Sequence, residues 1–544
     1  MSSMPPSDPS QPAPEYLGDA APPAEGPPSR RKLPVLGGVA LGVAAVVGLG
    51  GWGVYALMSG GGAQPSEAVP ANALAYVSLD LDPSASQKVE AIKILKKFPA
   101  LEKKLEVDSG DDLRRWVFDE GFKDCDSVDY AKDVEPWIGD RVAMAAVPAE
   151  KAGEDPSPLI ALKVTDTEAA EKGIAKLAEC GETGDDFGFA FAGDYALISD
   201  GEQKADDLAA AVEEGSLADD AEFQDWTDKV GDPGFVTAYV APEAGRFLLE
   251  MSEQENWFAY DAAADAGMPP PPMMEERMEA MAKNFKGMAG VVRFADGAVE
   301  AEFVGQGVPE GMLPDSAGTS AISELPDGTA VAMSIALSEG WLDSSMKQLE
   351  QMMPPGESLE DLMAQAEAQT GLKLPEDVEA LLGDGVSVAV DGDLDVASLM
   401  SAPDPTRVPA GIRVSGEPDE ILPVVEKIKA LLGPDSEMLV VESGDGVVSF
   451  GLSQEYVKSL AAEGSLGDQE TFAGVVPEAD RATGALFVDF DAVSRWVDEG
   501  MQAAGGVGES EVEVAENLEP LKALGMSAWI DDDTQHGLLR ITTD

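Results

Sequence analysis

The chain has 544 residues, with 102 acidic against 36 basic side chains, a net charge of −66 and 44% apolar residues. That apolar share supports several packed cores and excludes wholesale disorder. The charge excludes binding to nucleic acid or to anionic lipid through the folded part, since both need a basic face. One histidine, His536, and two cysteines leave few means for histidine catalysis, zinc binding or thiol chemistry.

Residues 1–33 hold nine prolines and almost no large apolar side chains. Such a segment cannot offset its ordering entropy, so a disordered tail is expected. Arg30, Arg31 and Lys32 then precede an uncharged run over residues 34–58. As a helix this run is roughly 37 Å long, enough to cross a hydrocarbon core of about 30 Å. Trp52 and Tyr55 lie near its far end, where amphipathic rings favour the interface. The next basic residue is Lys88. The positive-inside rule therefore puts the tail in the cytoplasm and the rest outside, as a single-pass plasma-membrane protein. The competing reading is a cleaved signal peptide, whose apolar core is normally only about 7–15 residues long. Gly38 and Gly42 form a small-residue pair of the helix-dimer kind, though this span is rich in glycine and alanine throughout. Residues 59–68 form a glycine-containing tether.

Beyond the tether the sequence repeats itself. DVEPWIGDRVAMA at 133–145 and DVEALLGDGVSVA at 377–389 agree at seven of thirteen positions, at an offset of 244. AYVSLDL at 75–81 corresponds to VAMSIAL at 331–337, and EEGSLADDAEF at 213–223 to AEGSLGDQETF at 462–472. The segments ALKVTDTEAAEKGIAKL from 161 and GIRVSGEPDEILPVVEKIKALL from 411 also align. Two modules are expected, 69–306 and 319–544, joined by a linker at 307–318.

Within the first module, Ala75–Leu81 alternates and ends at Asp82–Pro83, a strand and turn. Val89, Ile92 and Leu95 suggest a helix that stops before Pro99. Val134, Trp137 and Ile138 close a helix, Gly139 serves as its left-handed cap, and a strand follows at Val142–Val147. The same order recurs at Leu381, Leu382, Gly383 and Val386–Val390. A strand at Leu159–Val164 leads through a Thr165/Glu168 capping box into a helix. Its counterpart opens with Pro418 and carries Ile421, Val424, Val425, Ile428, Leu431 and Leu432 as an apolar stripe. Phe187–Phe191 and Ala196–Ser199 form a hairpin about Gly193–Asp194. Val236–Val240 is a strand, and Ala289–Phe294 pairs with Val299–Val304 about Asp296–Gly297. The class is α+β, with mostly antiparallel sheets and packed helices, preceded by one transmembrane helix.

No nucleophile elbow, phosphate loop, HExxH or CxxC is present. His536 follows Asp531–Asp533 and reads as an exposed turn residue. Asp391, Asp393 and Asp395 are spaced like a calcium loop, but Val396 and Ala402 stand where glycine and glutamate are needed. No catalytic residue, metal ligand or cofactor site is assigned. Cys125 and Cys180 both lie outside the membrane by this topology, so they are expected to pair in one disulfide. After four prolines at 269–272, Met274, Met278 and Met281 fall on one helix face. Three readings stand for that face: core, an apolar ligand or partner surface, and copper(I) thioether binding, with core the plainest.

The start PANALAYV at 70–77 and WIGDRV at 137–142, with the anchored layout, resemble the exported, membrane-anchored family of high-GC Gram-positive bacteria called domain of unknown function 3352. The resemblance implies a cell-envelope location and no assigned activity. The expected role is a non-enzymatic extracytoplasmic binding or interaction module, its partner an envelope protein or an apolar ligand. The alternatives are a carrier of an apolar envelope molecule and a carboxylate-dependent hydrolase, because paired acids need no motif.

Overall fold

The computed structural model describes residues 63–81, 94, 97, 98, 115, 127–149, 156–178, 188–245, 282–307, 319–338, 340–351, 358–401, 404–503 and 518–544. The proline-rich tail, the span at 34–58, Cys125, Cys180 and the Met274–Met281 face lie outside them. Among the described residues, no helix is long and apolar enough to cross a membrane.

Alternating small and branched residues build one antiparallel sheet. Its first eight strands are β1 Ala75–Asp80, β2 Ile138–Val147, β3 Ser157–Val164, β4 Gly188–Ala192, β5 Tyr195–Ser199, β6 Val236–Val240, β7 Gly287–Ala295 and β8 Ala298–Gln306. The next eight are β9 Thr329–Ala336, β10 Gly385–Asp391, β11 Ala410–Ser415, β12 Val440–Gly444, β13 Val447–Gly451, β14 Gly484–Asp489, β15 Leu521–Asp531 and β16 Thr534–Thr543. One half runs 8-7-6-1-2-3-5-4 and the other 16-15-14-9-10-11-13-12, so both halves share one strand order. They meet edge to edge where β8 pairs with β16, from Gln535 opposite Gly305 to Thr542 opposite Ala298. Each thereby covers an edge that would otherwise expose unpaired backbone groups.

On the front face, short helices close one apolar core per half. In the first half, Phe223 of helix Ala221–Lys229 meets Tyr76 and Tyr239 edge-on at 5.6 and 5.2 Å. Asp220 caps that helix by accepting from the Glu222 and Phe223 N–H groups. In the second half, Phe472 of helix Glu470–Val475 packs on Phe487 at 5.3 Å. The repeated GSL segment gives Leu217 and Leu466, each fully buried in a 3-10 turn. Burying each such large side chain contributes about 1.5–3 kcal/mol.

The back face differs between the halves. In the first, helix Thr167–Ala178 buries Ala170 and Ile174 against Trp137 and Val164. Ile94 and Phe98 pack with Phe235 and Phe294, whose rings stack at 5.0 Å. In the second, the helices Glu376–Leu382 and Pro418–Leu432 cover Val414 and Val448.

The expected hairpins form at Gly193–Asp194 and at Asp296–Gly297, where both turn residues of the latter have positive φ. Pro418 is the first helical residue. Several local expectations need correction. Gly139 is not a helix cap. It lies inside β2, where a Cβ would meet Lys163 Cγ at 2.5 Å, so glycine is needed for strand approach. Gly383 is the cap at the matching place in the second half, with φ of +54°. Asp166, not Thr165, caps the helix after β3, its carboxylate accepting from Ala169 N–H at 3.0 Å. Leu431 and Leu432, the last two residues of helix Pro418–Leu432, are exposed and lie outside the stripe it buries through Ile421, Val424 and Val425. His536 is a strand residue of β16, half-buried against Trp529, and not in a turn.

Candidate functional site

The repeated DVE motif is a fastener. Asp133 accepts from Lys176 of helix Thr167–Ala178, and Asp377 accepts from Lys427 of helix Pro418–Leu432 at 2.6 and 2.8 Å. Those lysine hydrogen bonds hold both carboxyls below the usual carboxylate range. The motif thus ties each back-face helix to the chain entering the sheet, and its aspartates are engaged structurally.

The seam between the halves concentrates buried charge. Arg540, Glu300 and Arg293 are lateral neighbours on β16, β8 and β7. Glu300 lies 2.5 Å from Arg293 and 3.4 Å from Arg540, and Arg293 also pairs with Glu302. Arg293 donates further to the Val230 and Asp232 carbonyls, and Arg540 to that of Ala295. Burial pushes the Glu302 carboxyl up, against the pull of Arg293. The corresponding pair one half away is Trp529 and His536, stacked at 5.0 Å and 8°. Arg481 sits over Trp529 at 4.3 Å. Burial, then the Arg481 charge, lowers the His536 pKa, so the ring is neutral near pH 7. Its packing against an indole matches a structural role better than proton transfer.

In the Asp391–Asp395 run, burial and then the charges of Asp393 and Asp327 push the Asp391 carboxyl up. Its oxygen accepts from the Asp393 N–H at 2.9 Å, a local turn bond. Among the described residues, no group of three histidine, cysteine or acidic side chains is arranged to hold a metal ion.

The surface that stands out is on the back of the second half. Directly opposed residues of an antiparallel sheet share a face. Ile412, Val388, Met333, Leu486 and Met526 are opposed in turn across β11, β10, β9, β14 and β15. This apolar row spans roughly 19 Å, at about 4.8 Å per strand step. Met333 is 57% exposed, and Ile412, Val388 and Met526 are each above 40%. Ile335, two residues on from Met333, is exposed as well. The row continues without a break through Leu539, Ala301, Val292, Val236 and Leu79 in the first half. There it is covered by Ile94 and Phe98. The helix after β9, Trp341–Gln351, has no buried side chain among its described residues and leaves Leu349 exposed. Contiguous apolar surface of this kind marks a binding face more often than scattered leucines do. Sequence reading placed Met333 and Ile335 on a strand but not on an open face. The alternation in VAMSIAL was the available signal, and it says nothing of what covers either side.

Residues 39–212 match the model of a family described as a protein of unknown function (DUF3352). The match includes both stretches, 70–77 and 137–142, that carry the resemblance. No curated protein matches the chain. A solved structure titled crystal form III of TP0453 is similar at 10% identity, with 45% of this chain and 80% of that one covered and a TM-score of 0.21. Crystal form I of TP0453 gives 9% identity, 45% and 79% coverage, and the same TM-score. A likeness at that score carries no argument about fold or function.

Proposed function

We propose that the protein is a non-enzymatic binding module of the cell envelope, held to the plasma membrane by residues 34–58 with its N-terminus in the cytoplasm. In this reading the outer part is two tandem copies of one α+β unit, and Cys125 pairs with Cys180 in the first. The first copy is the closed support. The second offers its back face to an envelope protein. The uncovered row from Ile412 to Met526 carries the reading. The shared strand order and the repeated sequence segments support the duplication. A second reading, a carrier of an apolar envelope molecule, draws on the same uncovered row.

Oxidative footprinting tests the proposal. Met333 and Met526 should be oxidised slowly in native membranes and quickly in the purified full chain. Protection that survives detergent extraction but is lost on solvent extraction favours the carrier. Equally fast oxidation in membranes and in purified protein would contradict both readings.

A further inference from the structure

One end of β9 and β10 borders a partly open cavity of about 330 Å³, lined by Thr319, Ser334, Ala336, Asp384, Gly385 and Ser415 among others. That is within the size range of small-ligand sites. The first half shows what occupies the corresponding place. There Asp80 of β1 lies opposite Arg141 of β2. Arg141 Nε is 3.1 Å from Asp80, and its Nη1 donates to the Ala63 carbonyl at 3.4 Å. Tyr195, the first residue of β5, donates its hydroxyl to the same carbonyl at 2.7 Å. In the second half Ala336 lies opposite Gly385, in the register that Asp80 and Arg141 share. The repeats align these positions too: DRVAMA with DGVSVA sets Arg141 against Gly385, and AYVSLD with VAMSIA sets Asp80 against Ala336. Val447 opens β13 where Tyr195 opens β5. Ala336 and Gly385, which stand where the first half has Asp80 and Arg141, both line the cavity.

We propose that this cavity binds a guanidinium or primary ammonium group brought by a ligand. The first half fills the equivalent space with a guanidinium. None of the described residues lining the cavity is basic, and they include Asp384 with Thr319, Ser334 and Ser415, the Ser334 hydroxyl sharing a hydrogen bond with that of Ser387. Such a lining suits a group that only donates hydrogen bonds. Between Thr319 and Ala321, the Ser320 hydroxyl is buried at 4% exposure without a hydrogen-bond partner. The net charge of −66 enriches cations around the whole molecule. The space cannot be refilled from Gly385 without moving β9, since a Cβ there would lie 2.8 Å from the Ile335 carbonyl oxygen. The inference deepens the binding-module reading, because the cavity opens beside Ile335 of the exposed row.

Calorimetry on the detergent-solubilised full chain at physiological salt tests it, with agmatine as the free guanidinium probe and neutral N-butylurea as its control. A short peptide with arginine between two leucines represents a partner's side chain. Agmatine, the peptide or both should bind at one site per chain, and N-butylurea should not. Binding of the peptide alone assigns the group to a partner's arginine. Asp384→Asn should weaken binding at least tenfold without lowering the melting temperature, since that carboxylate is exposed. Ala336→Leu should abolish binding by filling the space, and Ala336→Asp should tighten it by restoring the carboxylate that Asp80 supplies. If neither probe binds, or if binding is unchanged in both Asp384→Asn and Ala336→Leu, the inference is overturned. Protection of Met333 and Met526 in membranes is read separately, so the surface can stand when the cavity fails.

Discussion

The two halves of the sheet share a strand order but treat equivalent positions differently. The first half fills its interior with paired charge: Asp80 with Arg141, and Arg293 with Glu300. The second half places Ala336 and Gly385 at the first of those sites and Trp529 with His536 at the second. The first half covers its back-face row and the second leaves it open. One strand order thus carries a covered, ion-paired face in one half and an uncovered apolar row in the other. Closed, ion-paired interiors resist change because removing one partner strands the other. Open apolar rows gain their burial only from something that binds.

The largest expected effect breaks this comparison at the seam. Glu300→Ala leaves Arg540 and Arg293 with less compensation in a buried site and should destabilise the protein by about 3–5 kcal/mol. His536→Ala, at the corresponding position, removes ring stacking and should cost about 1 kcal/mol. Denaturant titration reads both, and equal losses would mean that the halves are not specialised in this way.

The same pair differs in its response to pH. The folded His536 pKa lies below the unfolded one, so the unfolded chain binds the extra proton more readily. Stability from this residue is complete above about pH 6.5, the ordinary histidine value. It is lost as pH falls from there through the folded value. Melting curves between pH 7.5 and 5.5 should therefore fall more steeply for the native chain than for His536→Gln.

A smaller and symmetric effect is expected where the halves agree. Asp133 and Asp377 have lowered folded pKa values, so the stability they confer is present above the ordinary aspartate range and lost as pH drops through the folded values. Lys176→Met and Lys427→Met should each shift the acid limb of unfolding to higher pH, and by similar amounts. A shift in only one variant would show that the fastener works in one half alone.

Much of this fold can be read in the residues. Alternation in Ala75–Asp80 and Val236–Val240, and the turn pairs at Gly193–Asp194 and Asp296–Gly297, encode strands and hairpins locally. What cannot be read locally is contact between distant segments. Gly139 looks like a helix cap because glycine suits both a cap and a close approach, and only Lys163 across the pairing decides between them. His536 looks like a turn residue because Asp531–Asp533 precede it, yet the turn ends sooner and β16 begins at Thr534. The open row escaped because strand alternation marks two faces without saying which is covered. The cavity was recorded in the aligned repeats as Arg141 against Gly385 and Asp80 against Ala336, but only the shared register shows that those two losses coincide.

The central claim is that one continuous apolar row is core in the first half and binding surface in the second. Matched substitutions within that row test it most directly. Val292, 7% exposed, and Met333, 57% exposed, are placed in one line across one sheet. Changing each to serine in the full chain and measuring unfolding in denaturant should give unequal losses. Val292→Ser should cost about 2–3 kcal/mol, as large-to-small core changes do. Met333→Ser should stay within about 0.5 kcal/mol, as surface changes do. A comparable loss from both would contradict the account, because Met333 would then belong to a closed core.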